Sequence, residues 1–215
     1  LSMKQKYKND EVLSPGTVII SAGGQCQDVS KVIEPVLKVI ENNKIYHLDF
    51  SKDDLNLGGS SFAQTKNKVG SKAPTVKDDE YFKQAFNTVQ KLIKLGLINA
   101  GHDVSSGGMI TTLLEMCFAE TNVGAEIDLS SFHHKDAVEL LFSENSSVII
   151  QTDQPEIVEN ILSENKIIFR QIGKAINGKT LTISNFDLSF DISEYRDIWF
   201  KTSYLLDKKQ CKNDQ

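Results

Sequence analysis

The order of strand-like and helix-like segments is the feature that most limits what this chain can fold into. Short stretches that alternate apolar and polar residues, or that are rich in β-branched residues, predict strands, whereas apolar residues three or four positions apart predict helices. Both kinds are interspersed along the chain, with two strand-like segments close together near the end. This order favours an α+β fold in which helices pack on a mixed β-sheet.

The predicted strands are short, as is usual in such a sheet. They cover residues 17–21, 44–50, 98–100, 123–129, 147–152, 167–172 and 179–183. Between the last two lies Asn177-Gly178, a dipeptide typical of a tight turn, so we expect these two strands to pair as a hairpin.

Helical spacing recurs between these strands. It covers residues 28–40, 62–64, 79–95, 108–118, 155–162 and 193–206. The segment 79–95 is the clearest, with a glycine at position 96 to end it. In the first segment Pro35 falls early, so its regular helix is expected to begin only near Glu34.

Composition excludes several classes of protein. None of the apolar runs in the 215 residues approaches the roughly 20 residues that span a bilayer, and the first residues lack a signal-peptide pattern. The 24 basic and 29 acidic residues give a net charge of −5 with no basic stripe, which argues against nucleic acid as a partner. Cys26, Cys117 and Cys211 lie far apart. We therefore expect a soluble, cytoplasmic protein with neither membrane nor nucleic-acid partners.

The segment 101–108 is the part of the chain whose composition suggests a functional role in addition to packing. It reads Gly-His-Asp-Val-Ser-Ser-Gly-Gly and stands between a strand-like stretch and a helix. Glycine is a poor helix former, but two glycines at a helix start leave backbone N–H groups open to a phosphate. Asp103 could supply an oxygen to Mg²⁺, and Ser105 could donate its hydroxyl to a phosphate oxygen.

A purely structural interpretation fits the same residues. Ser105 or Ser106 could cap the helix, Asp103 could complement the helix dipole, and the two glycines could permit close packing. A single carboxylate also makes only part of a Mg²⁺ site. The residue pattern by itself leaves both interpretations open.

Other candidate sites carry less information. The segment 58–61, Gly-Gly-Ser-Ser, is a second glycine turn before a helix and is more typical of a connection. His133-His134 is expected in a solvated loop, and Cys26 as a structural thiol. Glu144 is expected at the surface end of a strand, and Trp199 and Tyr195 as anchors of the last helix.

A family resemblance rests on the segment 101–109 and the helix 112–119. The segment resembles the pattern His-Asp-x-Ser-Asp-Gly-Gly followed by Leu-x-Glu-Met-Ala-Phe-Ala, which is typical of phosphoribosylformylglycinamidine synthases. Further similar segments occur in the same order as in that family. They cover residues 1–4, 14–21, 57–64, 141–144 and 196–204.

The resemblance implies a place within a much longer enzyme. The chain is similar to the C-terminal, aminoimidazole ribonucleotide synthetase-like domain of the second half of the large, single-chain form. On this basis we expect residues 1–13 to be a linker from an upstream domain, residues 14–207 to form the domain, and residues 208–215 to lead toward a glutaminase. The start at Leu1, without a methionine, agrees with this interpretation.

The resemblance also implies a function. The whole enzyme would be an ATP- and glutamine-dependent ligase of purine biosynthesis that converts formylglycinamide ribonucleotide to formylglycinamidine ribonucleotide. Its partners would be the upstream synthetase domains and the downstream glutaminase of the same chain, and the isolated domain would be inactive as a ligase.

Only the 101–108 segment carries site residues over from the family. Asp103 matches a magnesium ligand, and Ser105 matches a residue that contacts the nucleotide, ATP or ADP. His102, Gly107 and Gly108 belong to the same nucleotide-binding loop, and no catalytic residue is assigned. Ser106 replaces an acidic residue of the family pattern, which leaves Asp103 as the loop's only carboxylate.

Two other functions fit the same residues. One is a non-catalytic module that binds a nucleotide for stability or assembly. The other is a related enzyme of the aminoimidazole ribonucleotide or selenophosphate synthetase type, which the helix 115–119 disfavours.

Overall fold

Strands and helices are interspersed along the chain, which the computed structural model describes over residues 3–14, 20–26 and 28–211. The strands are β1 (Met3–Tyr7), β2 (Asp10–Ser14), β3 (Lys44–Asp49), β4 (Ala100–Val104), β5 (Val123–Ile127), β6 (Ser147–Thr152), β7 (Ile168–Asn177), β8 (Thr180–Ile183) and β9 (Leu188–Asp191). The helices are α1 (Ser61–Thr65), α2 (Asp79–Lys94), α3 (Gly108–Phe118), α4 (Ala137–Phe142), α5 (Pro155–Glu164) and α6 (Ile192–Gln210).

The chain divides into two units, Leu1–Ser30 and Lys31–Gln215. In the first unit, β1 and β2 form an antiparallel pair, so the stretch expected to be a linker contains a hairpin. Of the strand predicted over residues 17–21, residues 17–19 lie outside the described residues, and Ile20 and Ser21 belong to neither a strand nor a helix. The proposed domain boundaries stay predictions.

A mixed β-sheet forms the centre of the second unit. Its seven strands lie in the order β4-β6-β3-β7-β5-β8-β9. Neighbouring strands run antiparallel except β5 and β8, which pair in parallel. The expected α+β fold with a mixed sheet is confirmed.

Helices pack on both faces of the sheet, and the central strands β3 and β6 are therefore buried on both sides. Along β3, Ile45 belongs to one hydrophobic cluster and Tyr46 and Leu48 belong to the other. The cluster around Tyr46 includes residues of α2 and α5, and the cluster around Ile45 includes residues of α3 and α4. Since successive side chains of a strand point to opposite faces, the domain has three layers with the sheet in the middle.

The helix α2 corresponds to the helix predicted over residues 79–95, and its structure shows why the apolar spacing predicted it. The Asp78 side chain accepts a hydrogen bond from the Tyr81 amide and so caps the start of the helix. Tyr81, Ala85 and Leu92 are buried on one face, and Gly96 adopts a left-handed backbone with φ of +71° just past the end. The spacing, the cap and the terminating glycine are all local features, and the predicted helix is confirmed.

The helix predicted over residues 28–40 is wrong. Only Val29–Lys31 form a short 3-10 turn, and the residues that follow have no regular structure. The backbone N–H of Leu37 donates to the Met116 carbonyl at 2.9 Å, and that of Lys38 donates to Gln151 Oε1 at 2.9 Å. Partners in distant elements therefore replace the hydrogen bonds of a helix, and Pro35 could not have donated one.

The hairpin predicted around Asn177-Gly178 is also wrong, although β7 and β8 do run in opposite directions. Strand β5 lies between β7 and β8 and pairs with both. The absence of a side chain at Gly124 lets β8 approach, since a Cβ there would lie 2.4 Å from the Thr180 carbonyl oxygen. The amide of Gly178 donates to the Asn122 carbonyl at 3.3 Å, just before β5 begins.

Two further elements were not predicted, α4 and β9, and β4 begins two residues later than expected. Among the described residues, no helix is both long enough and apolar enough to cross a membrane.

Candidate functional site

The side chains of His102 and Asp103 lie on β4, which forms one edge of the sheet. The Asp103 carboxylate is 73% exposed, and its Oδ1 lies 3.2 Å from His102 Nδ1. On the other side of the imidazole ring, Nε2 is 3.4 Å from Glu115 Oε2 on α3. The structure thus presents Asp103 to solvent and holds His102 between two carboxylates.

The two serines of the loop are exposed and do not cap α3. The N-cap residue is Gly107, with φ of +91°, and no side chain of its own can serve as a cap. The interpretation of Ser105 or Ser106 as the helix cap is therefore wrong. Both serines are exposed and follow Asp103 by two and three residues in the sequence.

The group at the start of α3 is the carboxylate of Glu144. Its Oε1 accepts a hydrogen bond from the Gly107 amide at 2.8 Å and another from the Ser61 amide at 2.8 Å. Ser61 is the first residue of α1 and Gly107 immediately precedes α3, so one oxygen joins the starts of two helices. Glu144 follows the helix α4, so its expected place at the end of a strand is wrong.

Close packing explains the glycine at position 108. A Cβ there would lie 2.6 Å from the Leu141 carbonyl oxygen and 2.7 Å from Phe142 backbone atoms, so only glycine lets α3 start against the end of α4. The Gly108 amide donates to the Ser105 carbonyl at 3.0 Å. Gly107 and Gly108 therefore both direct their N–H groups to partners within the chain.

The second glycine turn, residues 58–61, lies next to the 101–108 segment. Ser60 caps α1 by accepting a hydrogen bond from the Ala63 amide at 3.2 Å, and the Gly58 amide donates to the Lys72 carbonyl at 2.8 Å. Through Ser61 this turn shares Glu144 with the 101–108 loop. Sequence reasoning missed this connection, since 83 residues separate Ser61 from Glu144.

An apolar cavity of 350 Å³ opens beside Asp103 on the face of β4 that packs toward α2. Ile33, Val89, Ile93 and Ile150 contribute to its walls. A ligand held by Asp103 would therefore have apolar surface next to it.

Asp103 fits part of a Mg²⁺ site, not a complete one. The described part of the chain contains no group of three or more His, Cys, Asp or Glu side chains that could hold a metal ion. Mg²⁺ in proteins commonly takes one or two carboxylates together with waters and substrate phosphates. The donor set is consistent with a half-site that needs further ligands.

The structure also describes the remaining candidate residues. His134 Nε2 lies 3.3 Å from Glu139 Oε2, and His133 occupies a left-handed turn position. Cys26 is an exposed free thiol. Trp199 does attach α6 to the domain, since its Nε1 donates to Glu115 Oε1 at 2.9 Å, and Tyr195 packs against Phe190.

Comparison with known proteins places this geometry in a family context. Residues 41–184 match the family described as AIR synthase related protein, C-terminal domain. The chain is 34% identical over 98% of its length to a probable chloroplastic/mitochondrial phosphoribosylformylglycinamidine synthase of Arabidopsis thaliana. It is 29% identical over 99% of its length to the human phosphoribosylformylglycinamidine synthase. The chain spans only 15% and 16% of these two relatives, respectively.

Solved structures show the same fold. Thermotoga maritima PurL complexed with FGAR aligns with a TM-score of 0.58 over 77% of this chain and 29% of that chain. The same protein complexed with ATP aligns with a TM-score of 0.57 over 77% of this chain and 27% of that chain. Sequence identity is 14% in both cases, so these structures support the fold alone.

Proposed function

The chain belongs to the family of AIR synthase related protein C-terminal domains, and from that premise we propose that it is one domain of a larger ligase. The proposed reaction converts formylglycinamide ribonucleotide to formylglycinamidine ribonucleotide with ATP, and with glutamine as the nitrogen donor. The relatives that carry the name of this synthase support the proposal. Because the chain spans about one sixth of their length, the remaining synthetase and glutaminase functions fall to other domains.

Within this enzyme the chain contributes part of a Mg²⁺–nucleotide site. The observation that carries the proposal is the exposure of Asp103 near the end of β4 and of Ser105 in the turn that follows, both held in place by the rest of the domain. A second domain supplies the other metal ligands, since the loop offers one carboxylate. The apolar cavity beside Asp103 provides further contact surface for the bound molecule.

The residues of the segment 101–108 have different roles in the proposed site. Asp103 offers a hard oxygen to the ion, and Ser105 donates its hydroxyl to a phosphate oxygen. Gly107 and Gly108 shape the turn, because their N–H groups already bond within the chain. When bound, Mg²⁺ would neutralise phosphate charge and so assist transfer of the phosphoryl group from ATP to the amide oxygen. Ammonia would then attack the amide carbon, and the bond from that carbon to oxygen would break, so that the oxygen leaves with the phosphate.

Replacement of Asp103 tests the proposal. In the full-length enzyme, Asp103→Ala should weaken Mg²⁺–nucleotide binding by at least ~10-fold, since an ion ligand is lost. Ser105→Ala should weaken it by about 5-fold, as expected for one hydrogen bond of ~1 kcal/mol. Calorimetric titration with Mg-ADP measures both.

The matched control is Asp207→Ala, which removes an exposed aspartate from α6. It should bind Mg-ADP like the unmodified enzyme. Unchanged affinity and unchanged ligase activity in Asp103→Ala would contradict the proposed site.

A cytosolic location is part of the same proposal. Cys26, Cys117 and Cys211 are all free thiols, as a reducing compartment permits.

A further inference from the structure

We infer that Glu144 is the positioning residue of this site, holding the turn between β4 and α3, which carries Ser105 next to Asp103, without itself contacting the nucleotide. The inference rests on the proposed Mg²⁺–nucleotide function of that loop. Its structural basis is independent of that function, because it lies in the hydrogen bonds that the Glu144 carboxylate accepts.

The geometry of these hydrogen bonds makes Glu144 a link between distant segments. One oxygen, Oε1, accepts from the amides of Ser61 and Gly107, each at 2.8 Å. Glu144 lies 83 residues from Ser61 and 37 from Gly107. Hydrogen bonds to an ionised acceptor are roughly twice as strong as those between neutral groups, so Glu144 ties both glycine turns together.

The carboxylate is favoured at this position for a second reason. Backbone N–H groups at a helix start are unsatisfied within the helix, and the helix dipole places partial positive charge there. The serines of the 101–108 loop leave the start of α3 without a side-chain cap. Glu144 supplies the missing acceptor from another element, and its charge suits the dipole of α3.

The neighbours of Glu144 hold it in place. Ser143 Oγ accepts a hydrogen bond from the Asn56 amide at 3.2 Å, and Asn145 Nδ2 donates to the Asp54 carbonyl at 3.1 Å. Both side chains are buried, and they also bond to each other. Because the residues before and after Glu144 are fixed to the segment 54–56, the carboxylate has little freedom to leave Gly107.

The close approach of α4 to α3 brings the carboxylate within reach. The backbone of Leu141 and Phe142 occupies the space that a side chain at position 108 would need. Glu144 lies two residues beyond α4 and therefore meets Gly107 directly. Gly108 and Glu144 thus act together, one by permitting contact and the other by bonding across it.

This arrangement assigns the anion-binding position at the start of α3 to a protein carboxylate. Because the Gly107 amide donates to Glu144, a phosphate would be bound by Ser105 and by an ion held by Asp103. Asp103 is fixed by the pairing of β4 with β6. Without Glu144 the turn that carries Ser105 would lose its link to α4 and α1, and Ser105 would no longer keep one fixed orientation relative to Asp103. Ordering the loop would then oppose binding of the nucleotide.

Two substitutions at position 144 separate positioning from charge. Glu144→Ala removes the acceptor, whereas Glu144→Gln keeps a carbonyl oxygen that both amides can use. In the full-length enzyme we expect Mg-ADP binding to weaken by at least ~10-fold in the alanine variant, the size typical of lost outer-shell support, and by less than ~3-fold in the glutamine variant. Glu120→Ala, at an exposed glutamate just past α3, should bind like the unmodified enzyme.

The double variant Asp103→Ala/Glu144→Ala tests whether Glu144 acts through the loop. If it does, the loss of affinity in the double variant will be smaller than the product of the losses in the two single variants. The reason is that the effects of substitutions that act through one element are not independent. Multiplicative losses, or affinity in Glu144→Ala equal to that of the unmodified enzyme, would overturn the inference.

Amide NMR of this 215-residue chain tests the link without any nucleotide. In Glu144→Ala the ¹H–¹⁵N signals of Gly107 and Ser61 should both move upfield in the proton dimension as their charged acceptor is removed, and Glu144→Gln should restore part of the shift. Unmoved signals would overturn the link. If the signals move but Asp103→Ala binds Mg-ADP normally, the proposed function fails and the inferred role in binding fails with it.

Discussion

At the residue scale, His47 is a titratable side chain in the interior. It lies on β3, is 8% exposed, and contacts the Phe132 ring edge to face at 5.2 Å between ring centroids. Within the described part of the chain its buried Nδ1 atom has no hydrogen-bond partner. Burial lowers the pKa of His47 from 6.5 to about 4, with Asp49 opposing the shift and Arg170 adding to it.

The lowered pKa predicts that His47 destabilises the fold in acid. Between pH 6.5 and about 4 the unfolded chain binds a proton that the folded chain excludes, so stability falls as the pH falls through this range. From these pKa values, His47 should cost about 2 kcal/mol at pH 5 relative to pH 7.5. Replacing it with Leu should remove this part of the pH dependence, as measured by urea unfolding at both pH values.

The control for this experiment is His133→Asn, which changes an exposed histidine and keeps a residue type that tolerates a left-handed backbone. It should show the pH dependence of the unmodified chain. If His47→Leu loses as much stability between pH 7.5 and pH 5 as the unmodified chain, burial of a neutral His47 is refuted.

At the element scale, the start of α3 depends on contact between backbones. Gly108 has φ of +73°, and Gly96, after α2, has φ of +71°. A Cβ at position 96 would meet no atom within 4 Å, whereas one at position 108 would meet the backbone of Leu141 and Phe142. The pair therefore separates the cost of the left-handed conformation from the cost of the collision.

We predict that Gly96→Ala destabilises the fold by about 1 kcal/mol, the usual cost of a left-handed alanine. Gly108→Ala should cost about 3 kcal/mol or more, since backbone of α4 must also move. Chemical unfolding of the two variants measures the difference. Equal losses of stability would mean that α4 does not pack against α3 as closely as the structure shows.

At the scale of the whole molecule, the described residues supply only part of the proposed nucleotide site. Asp103 stands at a sheet edge with no cluster of metal ligands around it among the described residues. The chain also spans about one sixth of the relatives that it matches. Both observations support the proposal that a nucleotide would bind between this domain and another domain of the enzyme.

We therefore predict that this chain alone produces no formylglycinamidine ribonucleotide from formylglycinamide ribonucleotide, ATP and ammonia. It should also bind Mg-ADP at least ~10-fold more weakly than the full-length enzyme, because ligands from the second domain are missing. Product assays and calorimetric titration of both proteins test this. Tight binding without activity would instead favour a self-contained nucleotide-binding module.

The predictions from sequence were most successful where the determinants are local. The strand β6 and the helices α2 and α5 follow from apolar spacing, from the cap at Asp78 and from Pro155 at the start of its helix. The predictions failed where distant partners compete for the backbone. The segment 28–40 bonds to Met116 and Gln151 instead of forming a helix, and β5 enters between the two strands expected to pair.

The candidate site shows the same division. Sequence alone predicted the segment 101–108 and the candidate residues Asp103 and Ser105, because glycines, hydroxyls and a carboxylate before a helix form a local pattern. It also determined the fold class, since hydrophobic periodicity is set by neighbours along the chain. Only the tertiary structure showed that Glu144 satisfies the start of α3, and that α4 explains Gly108. The reason is physical: a backbone N–H donates to whichever acceptor the packing brings near, and that acceptor leaves no signal in the local sequence.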